Sequence, residues 1–240
     1  MNGCEGFIVA VTLALQLHPR TGCAWLAVVC SSWVWLSRGS TGRSKYNAMG
    51  WVDSTSAAEG NKMTARAALI IVPFSCLGLA WVLEQPLLSL MPLHPTLQWI
   101  QAMSNMAATD AFITWMAVDT YMGAFAAETS KPLALYTNRM WVYALARSKP
   151  MMKSAKHCIT TTTSSGKLSV HGTSDTKKTQ AYTQAFGQAT LDAYVAHNMD
   201  DHEPPGDIDE PDVESFESEH PSAWETAMLK DVMEFIYGQC

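Results

Sequence analysis

AWLAVVCSSWVWLSRG, Ala24 to Gly39, is the stretch on which the fold turns. Apolar residues run without a break to Val29. Cys30 follows, then Ser31 and Ser32, then an aromatic run stopped by Arg38. Two readings compete: a membrane span, or a buried strand that delivers a cysteine to the end of a sheet. Length separates them. Three apolar runs, Phe7–Leu17, Cys23–Leu36 and Ala67–Leu83, hold 11, 14 and 17 residues. A spanning helix needs about 20 apolar residues, and shorter runs are commoner in buried cores. Ser31 and Ser32 interrupt the second run, and Pro73 and Gly78 the third. The strand is the better reading, with a membrane protein using the three runs kept as the alternative.

The third run divides into two elements. Asn61 suits a helix N-cap, and Met63, Ala67, Ile70, Phe74 and Leu77 follow at helical spacing, with Lys62 and Arg66 on a solvated face. Pro73 should kink this helix and Gly78 end it. Leu79–Leu83 then reads as a strand buried on both faces, with Glu84-Gln85-Pro86 at its carboxyl end. The first two runs repeat the pattern. Phe7, Ile8, Val11, Thr12 and Leu15 suit a helix ending before His18-Pro19, and Ala24–Val29 reads as a second buried strand after Gly22. Such alternation predicts an α/β fold with a mostly parallel sheet. Ligands bind such sheets beyond the carboxyl ends of the strands, where Cys30 and Glu84 fall. Further on, VDTYMGAFAAETSKPLALYTN (118–138) predicts a strand, a turn around Glu128–Lys131 and a second strand, Leu133–Tyr136, paired antiparallel at a sheet edge. Thr137 or Asn138 is placed to cap a helix running through Arg147.

Hydrophobic residues make up 48% of the chain and charged residues 16%, but this average covers two regimes. Residues 1–147 are predicted to be the folded domain. Residues 148–180 read as a Ser/Thr/Lys-rich linker, and residues 181–240 as an acidic, mostly disordered tail with short helices. One such helix, Ala181–His197, uses Tyr182, Phe186 and Tyr194; another is expected around Trp224, Met228, Val232 and Phe235. Residues 1–198 carry 15 Lys/Arg against 9 Asp/Glu, about +6, whereas residues 199–219 carry ten acids and no Lys or Arg. Six cysteines without C-x-x-C spacing suit reduced thiols in an intracellular compartment, nuclear or cytoplasmic. His157, Cys158 and His171 are too few and too irregular for zinc, so no metal is expected. Trp25, Trp33, Trp35 and Trp81 flank the apolar runs and are expected to pack in the core.

VCSSWVWLSRGSTGRS, the EGN at 59–61, Arg66 and WVLEQPLLSLMPLHP together resemble a group of uncharacterised algal proteins of dinoflagellate type, over about Gly6 to Asn138. More remotely, the pattern is similar to cytosine-C5 DNA methyltransferases, in which a Pro-Cys follows one strand and a Glu-Asn-Val or Glu-Asn-Pro the next. That resemblance implies a Rossmann-like domain, S-adenosylmethionine as cofactor and nucleic acid as partner. It makes Cys30 the nucleophile toward ring carbon 6 of a flipped cytosine and Glu84 the acid at N3. Val29 stands where the family has proline, and Gln85 where it has asparagine. Gly3 and Gly6 correspond to the tail of the glycine-rich cofactor loop, whose preceding strand is not seen before Met1. The expectation is therefore an incomplete Rossmann-like domain: a degenerate or truncated methyltransferase relative, inactive as it stands. A soluble interaction module is the remaining alternative.

Overall fold

The computed structural model describes residues 4–17, 21–106, 114–152, 158–162, 168–172 and 181–200. The described residues through Asn198 belong to one compact unit. Gly3, the acidic segment through Glu219 and the helix expected around Trp224–Phe235 lie outside the described residues.

Of the stretch Ala24 to Gly39, only Ala24–Leu26 is strand. After α1 (Cys4–Leu15), β1 covers Cys23–Leu26, and the chain continues in irregular conformation to Cys30. A β-turn then closes with Trp33 N donating to Cys30 O at 2.8 Å, so Ser31 and Ser32 are its corner residues. The strand ends three residues before the expected Val29, whose side chain is 56% exposed. A short α2 (Arg38–Thr41) follows, closed by Gly42 at φ 66.

Helix α3 (Thr55–Cys76) begins about two turns earlier than an N-cap at Asn61 would place it. Ser54 is its N-cap, accepting from Ala57 N at 3.3 Å, and Asn61 lies inside the helix. Met63, Ala67, Ile70 and Phe74 are buried as their spacing requires, while Leu77 is exposed at the C-terminus. Arg66 is buried too, its guanidinium 5.0 Å from the Phe7 ring centroid, and so does not lie on a solvated face. The helix continues through Pro73, and Gly78 at φ 67 turns the chain into β2 (Ala80–Pro86).

Strands β1 and β2 pair in parallel, Ala24 opposite Trp81 and Leu26 opposite Leu83. The segment 118–138 forms β3 (Met116–Tyr121) and β4 (Pro132–Thr137), an antiparallel pair at the sheet edge. Strand β4 inserts between β3 and β2, antiparallel to both, giving the order β1-β2-β4-β3. The four-stranded sheet is thus mixed, with one parallel pairing and two antiparallel ones, rather than mostly parallel. The physical reason is connection length. A short hairpin can join only antiparallel neighbours, whereas α3 supplies the crossover between β1 and β2. α4 (Pro95–Met106) joins β2 to β3 and packs on α3.

Thr137 and Asn138 do not start an α-helix. Asn138 donates to Leu79 O at 2.8 Å and accepts from Trp81 N at 3.0 Å, and Thr137 Oγ1 donates to Trp81 O at 2.8 Å. Together they fasten the end of β4 to the start of β2, and a 3-10 helix follows at Met140–Leu145. Within the expected linker, β5 (Cys158–Thr162) and β6 (Leu168–Gly172) make a separate antiparallel hairpin, which suits the β-branched run Ile159–Thr162.

Pleating divides β2 between two layers. Trp81 faces α3, where its Nε1 donates to Ser75 Oγ at 3.0 Å. Val82 and Glu84 point to the other face, where Val118, Leu133 and Leu135 pack with Trp141, Val142 and Leu145 of the 3-10 helix. α5 (Gln184–Asp200) closes this second layer through Phe186, with Ala189, Ala193 and Tyr194 against the same cluster. The helix predicted at 181–197 therefore exists, but it belongs to this compact unit and not to a tail beginning at 181. Trp33 and Trp81 are wholly buried; Trp35, expected in the core, is 61% exposed. Among the described residues no helix is long and apolar enough to cross a membrane.

Candidate functional site

Parallel pairing of β1 and β2 brings Cys30 and Glu84 to one end of the sheet, close enough for the carboxylate to act on the thiol electrostatically. Glu84 lies within β2, opposite Leu135, and is 8% exposed. A carboxylate in an apolar layer needs a hydrogen-bond donor. Tyr182 supplies it: the phenol donates to Glu84 Oε2 at 2.9 Å, and Trp25 Nε1 in turn donates to the phenol oxygen at 3.3 Å.

The thiol is partly buried and without a disulfide partner. Burial and then the Glu84 charge push Cys30 above the ordinary thiol value, with Lys131 pulling the other way. Burial, followed by the same carboxylate, raises Tyr182 well above an ordinary phenol. Lys131 Nζ sits 5.6 Å from the Tyr182 ring centroid. Thiol, carboxylate, phenol and ammonium thus form one electrostatic cluster, contributed by the loop after β1, by β2, by the approach to α5 and by the residue before β4. Burial and the Glu84 charge together favour the protonated thiol.

The loop that carries Cys30 is anchored by groups the sequence reading did not single out. Gln85 Nε2 donates to Val28 O at 2.9 Å and to Glu84 O at 2.7 Å, while its Oε1 accepts from Ser89 Oγ at 3.1 Å. Leu90 N donates to Trp33 O at 3.0 Å on the far side of the turn. Beneath the turn, Arg43 is a buried cation. Its Nη1 bonds Asn61 Oδ1 at 2.8 Å and Ala48 O; its Nη2 bonds Ala57 O at 2.9 Å and Ser32 Oγ at 3.3 Å. Its guanidinium stacks 3.3 Å above the Trp33 ring. Gly60 makes this approach possible, because a Cβ there would overlap Ser32 Oγ. In EGN at 59–61, glycine admits the turn and asparagine holds the arginine. These are positioning roles.

Gly6 lies in the first turn of α1 and Gly3 outside the described residues. Gly6 is therefore helical backbone and not part of a loop. Two apolar cavities flank β1. One of about 520 Å³ is lined by Cys23, Trp25, Trp141, Gly187 and Tyr194, the other, of about 340 Å³, by Leu13, Ala24, Leu26, Ile70 and Phe74. Neither includes Cys30 or Glu84. Among the described residues no group of three His, Cys, Asp or Glu is placed to hold a metal ion.

Neither Tyr182, 98 residues from Glu84, nor Lys131 has a spacing that would signal membership of this cluster. Gln85 was legible only as a departure from the asparagine of the family pattern. No family model, curated protein or solved structure matches the chain.

Proposed function

We propose that this is a cytosine-C5 methyltransferase-like protein in which the base-handling half of the site is present and methyl transfer is absent in the conformation described. The observation that carries the reading is the thiol–carboxylate pair: the loop after β1 holds Cys30 within electrostatic reach of Glu84, which is buried near the carboxyl end of the adjacent parallel strand β2. An antiparallel hairpin at the sheet edge fits the same resemblance. The positive balance of residues 1–198 suits a polyanionic partner such as DNA.

The chemistry follows from the two groups. The Cys30 thiol gives its proton to the Glu84 carboxylate as its sulfur forms an S–C bond to carbon 6 of a cytosine ring. The electron pair of the ring's 5,6 double bond shifts through carbon 4 to N3, and Glu84 passes the proton it received to N3. The product is an enamine adduct, reversible unless carbon 5 reacts further. Because Gly6 is helical, no step is assigned to a methyl donor.

The test is an oligonucleotide carrying 2-pyrimidinone in place of cytosine, which accepts a thiolate at carbon 6 and holds it. Full-length protein should form a slow adduct that peptide mass spectrometry maps to Cys30. Cys30→Ser should abolish it and Glu84→Gln should slow it at least about tenfold. An adduct at another cysteine, or none after prolonged incubation of the parent and of its Tyr182→Phe and Tyr182→Ala variants, overturns the proposal.

A further inference from the structure

Glu84 accepts a hydrogen bond at Oε2 from a residue of the same chain, and that residue has the shape of a ligand. Tyr182 presents a flat ring and a single donor to the carboxylate, as a protonated or amino-bearing heterocycle would. The ring is built into an aromatic stack: Phe186 at 5.4 Å and 28°, Trp25 at 6.2 Å and 82°, with Lys131 over its face. The cap is held by α5. Thr183 Oγ1 donates to Phe125 O at 2.6 Å and accepts from Phe186 N at 3.1 Å, so the residue after Tyr182 both caps the helix and pins it to the sheet layer. Phe186 is buried against Trp25 and Phe125 at ring separations of 5.8 and 5.1 Å.

We propose that Tyr182 is an internal occupant of the Cys30–Glu84 site, an autoinhibitory plug that a flat heterocyclic ligand must displace. The chemical class of that ligand, a pyrimidine, rests on the function proposed above; the plug itself does not. A substrate must break the Tyr182–Glu84 bond and turn the ring out of the Trp25–Phe186 stack before the carboxylate can meet it. A hydrogen bond to a charged group is among the stronger side-chain bonds, so the closed form dominates until it is lost.

Full-length protein and its Tyr182→Phe and Tyr182→Ala variants test this in two ways. The first measurement is the rate of Cys30 alkylation by iodoacetamide, followed by peptide mass spectrometry. Tyr182→Phe keeps the ring and removes the bond, and should speed alkylation several-fold; Tyr182→Ala removes both and should speed it about tenfold or more. Circular dichroism and the melting curve of each variant establish that it is folded. Alkylation within twofold of the parent in folded variants overturns the plug. The second measurement is adduct formation with the 2-pyrimidinone oligonucleotide. A parallel rise in adduct supports both plug and pyrimidine. Faster alkylation with no adduct in any variant supports the plug and removes the pyrimidine reading.

Discussion

Cys30 and Glu84 constrain each other through charge. Burial and the carboxylate raise the thiol, so thiolate appears only above its ordinary value of 9.0. A pH–rate profile of Cys30 alkylation should therefore have its midpoint above that of a free thiol. Glu84→Gln removes the negative neighbour and should move the midpoint down, while Lys131→Met removes the one favourable charge and should move it up. A midpoint indifferent to both changes would mean the cluster does not couple. Gly60 is constrained by space instead. Gly60→Ala must push the Cys30–Trp33 turn away from α3 or shift Arg43, at a cost of about 1–3 kcal/mol by thermal melting, typical of overpacking. Adding Ser32→Ala removes the overlapping oxygen and should restore part of the loss.

At the scale of elements, β2 ties the site together. Each of its residues from Ala80 to Gln85 is buried, and Gln85 is the bolt to the Cys30 loop. Gln85→Leu keeps the volume and strands the buried Val28 carbonyl, so we expect about 1–3 kcal/mol of destabilisation and faster amide exchange across residues 28–33. His94, before α4, gives the fold an acid limit. Burial, then the Arg43 charge, lowers it to about 4 from the ordinary 6.5. Its neutral form is the folded one, so below pH 6.5 the unfolded chain binds more protons. This contribution is fully present above that pH and is lost as pH falls through 6.5 and past 4; the shift sets an upper bound of about 3 kcal/mol, which solvent screening lowers. His94→Gln should flatten the fall of melting temperature over this window; an unchanged slope would place the acid limit elsewhere. Much of this layer was legible in sequence. Apolar runs bounded by Gly and Pro marked α1, β1, α3, β2 and the β3–β4 pair. Burial and sheet order were not legible in the same way. Arg66 and Arg43 are polar by type and buried by tertiary contact. The mixed sheet follows from where β4 inserts, which no local pattern encodes.

At the scale of the molecule, the informative difference is α5. Its sequence, QAFGQATLDAYVAHNMD, has few large apolar residues, so read alone it resembles a short helix in a polar tail. Its stabilisation comes from the surface it meets. Phe186, Ala189, Ala193 and Tyr194 fall at helical spacing and land on the Val82–Leu135–Trp141 layer, and Tyr194 packs edge-on to Trp141 at 5.7 Å and donates to Thr21 O. Those partners lie far back in the chain, Thr21 173 residues before Tyr194, which is why spacing along the chain could not reveal the docking. The helix therefore completes the core and aims Tyr182 at Glu84 in one act, and stability and occlusion should fall together. Phe186→Ala tests that coupling. Phe186 is 2% exposed, and its truncation leaves a cavity among Trp25, Phe125 and Tyr182, at a cost of about 3–5 kcal/mol in urea unfolding. Because Trp25 loses both edge-on neighbours when α5 loosens, its fluorescence should shift red below the global unfolding midpoint. Cys30 alkylation should rise over the same range of urea. A cost under about 1 kcal/mol, with alkylation unchanged until global unfolding, would show that α5 lies on the sheet without holding it.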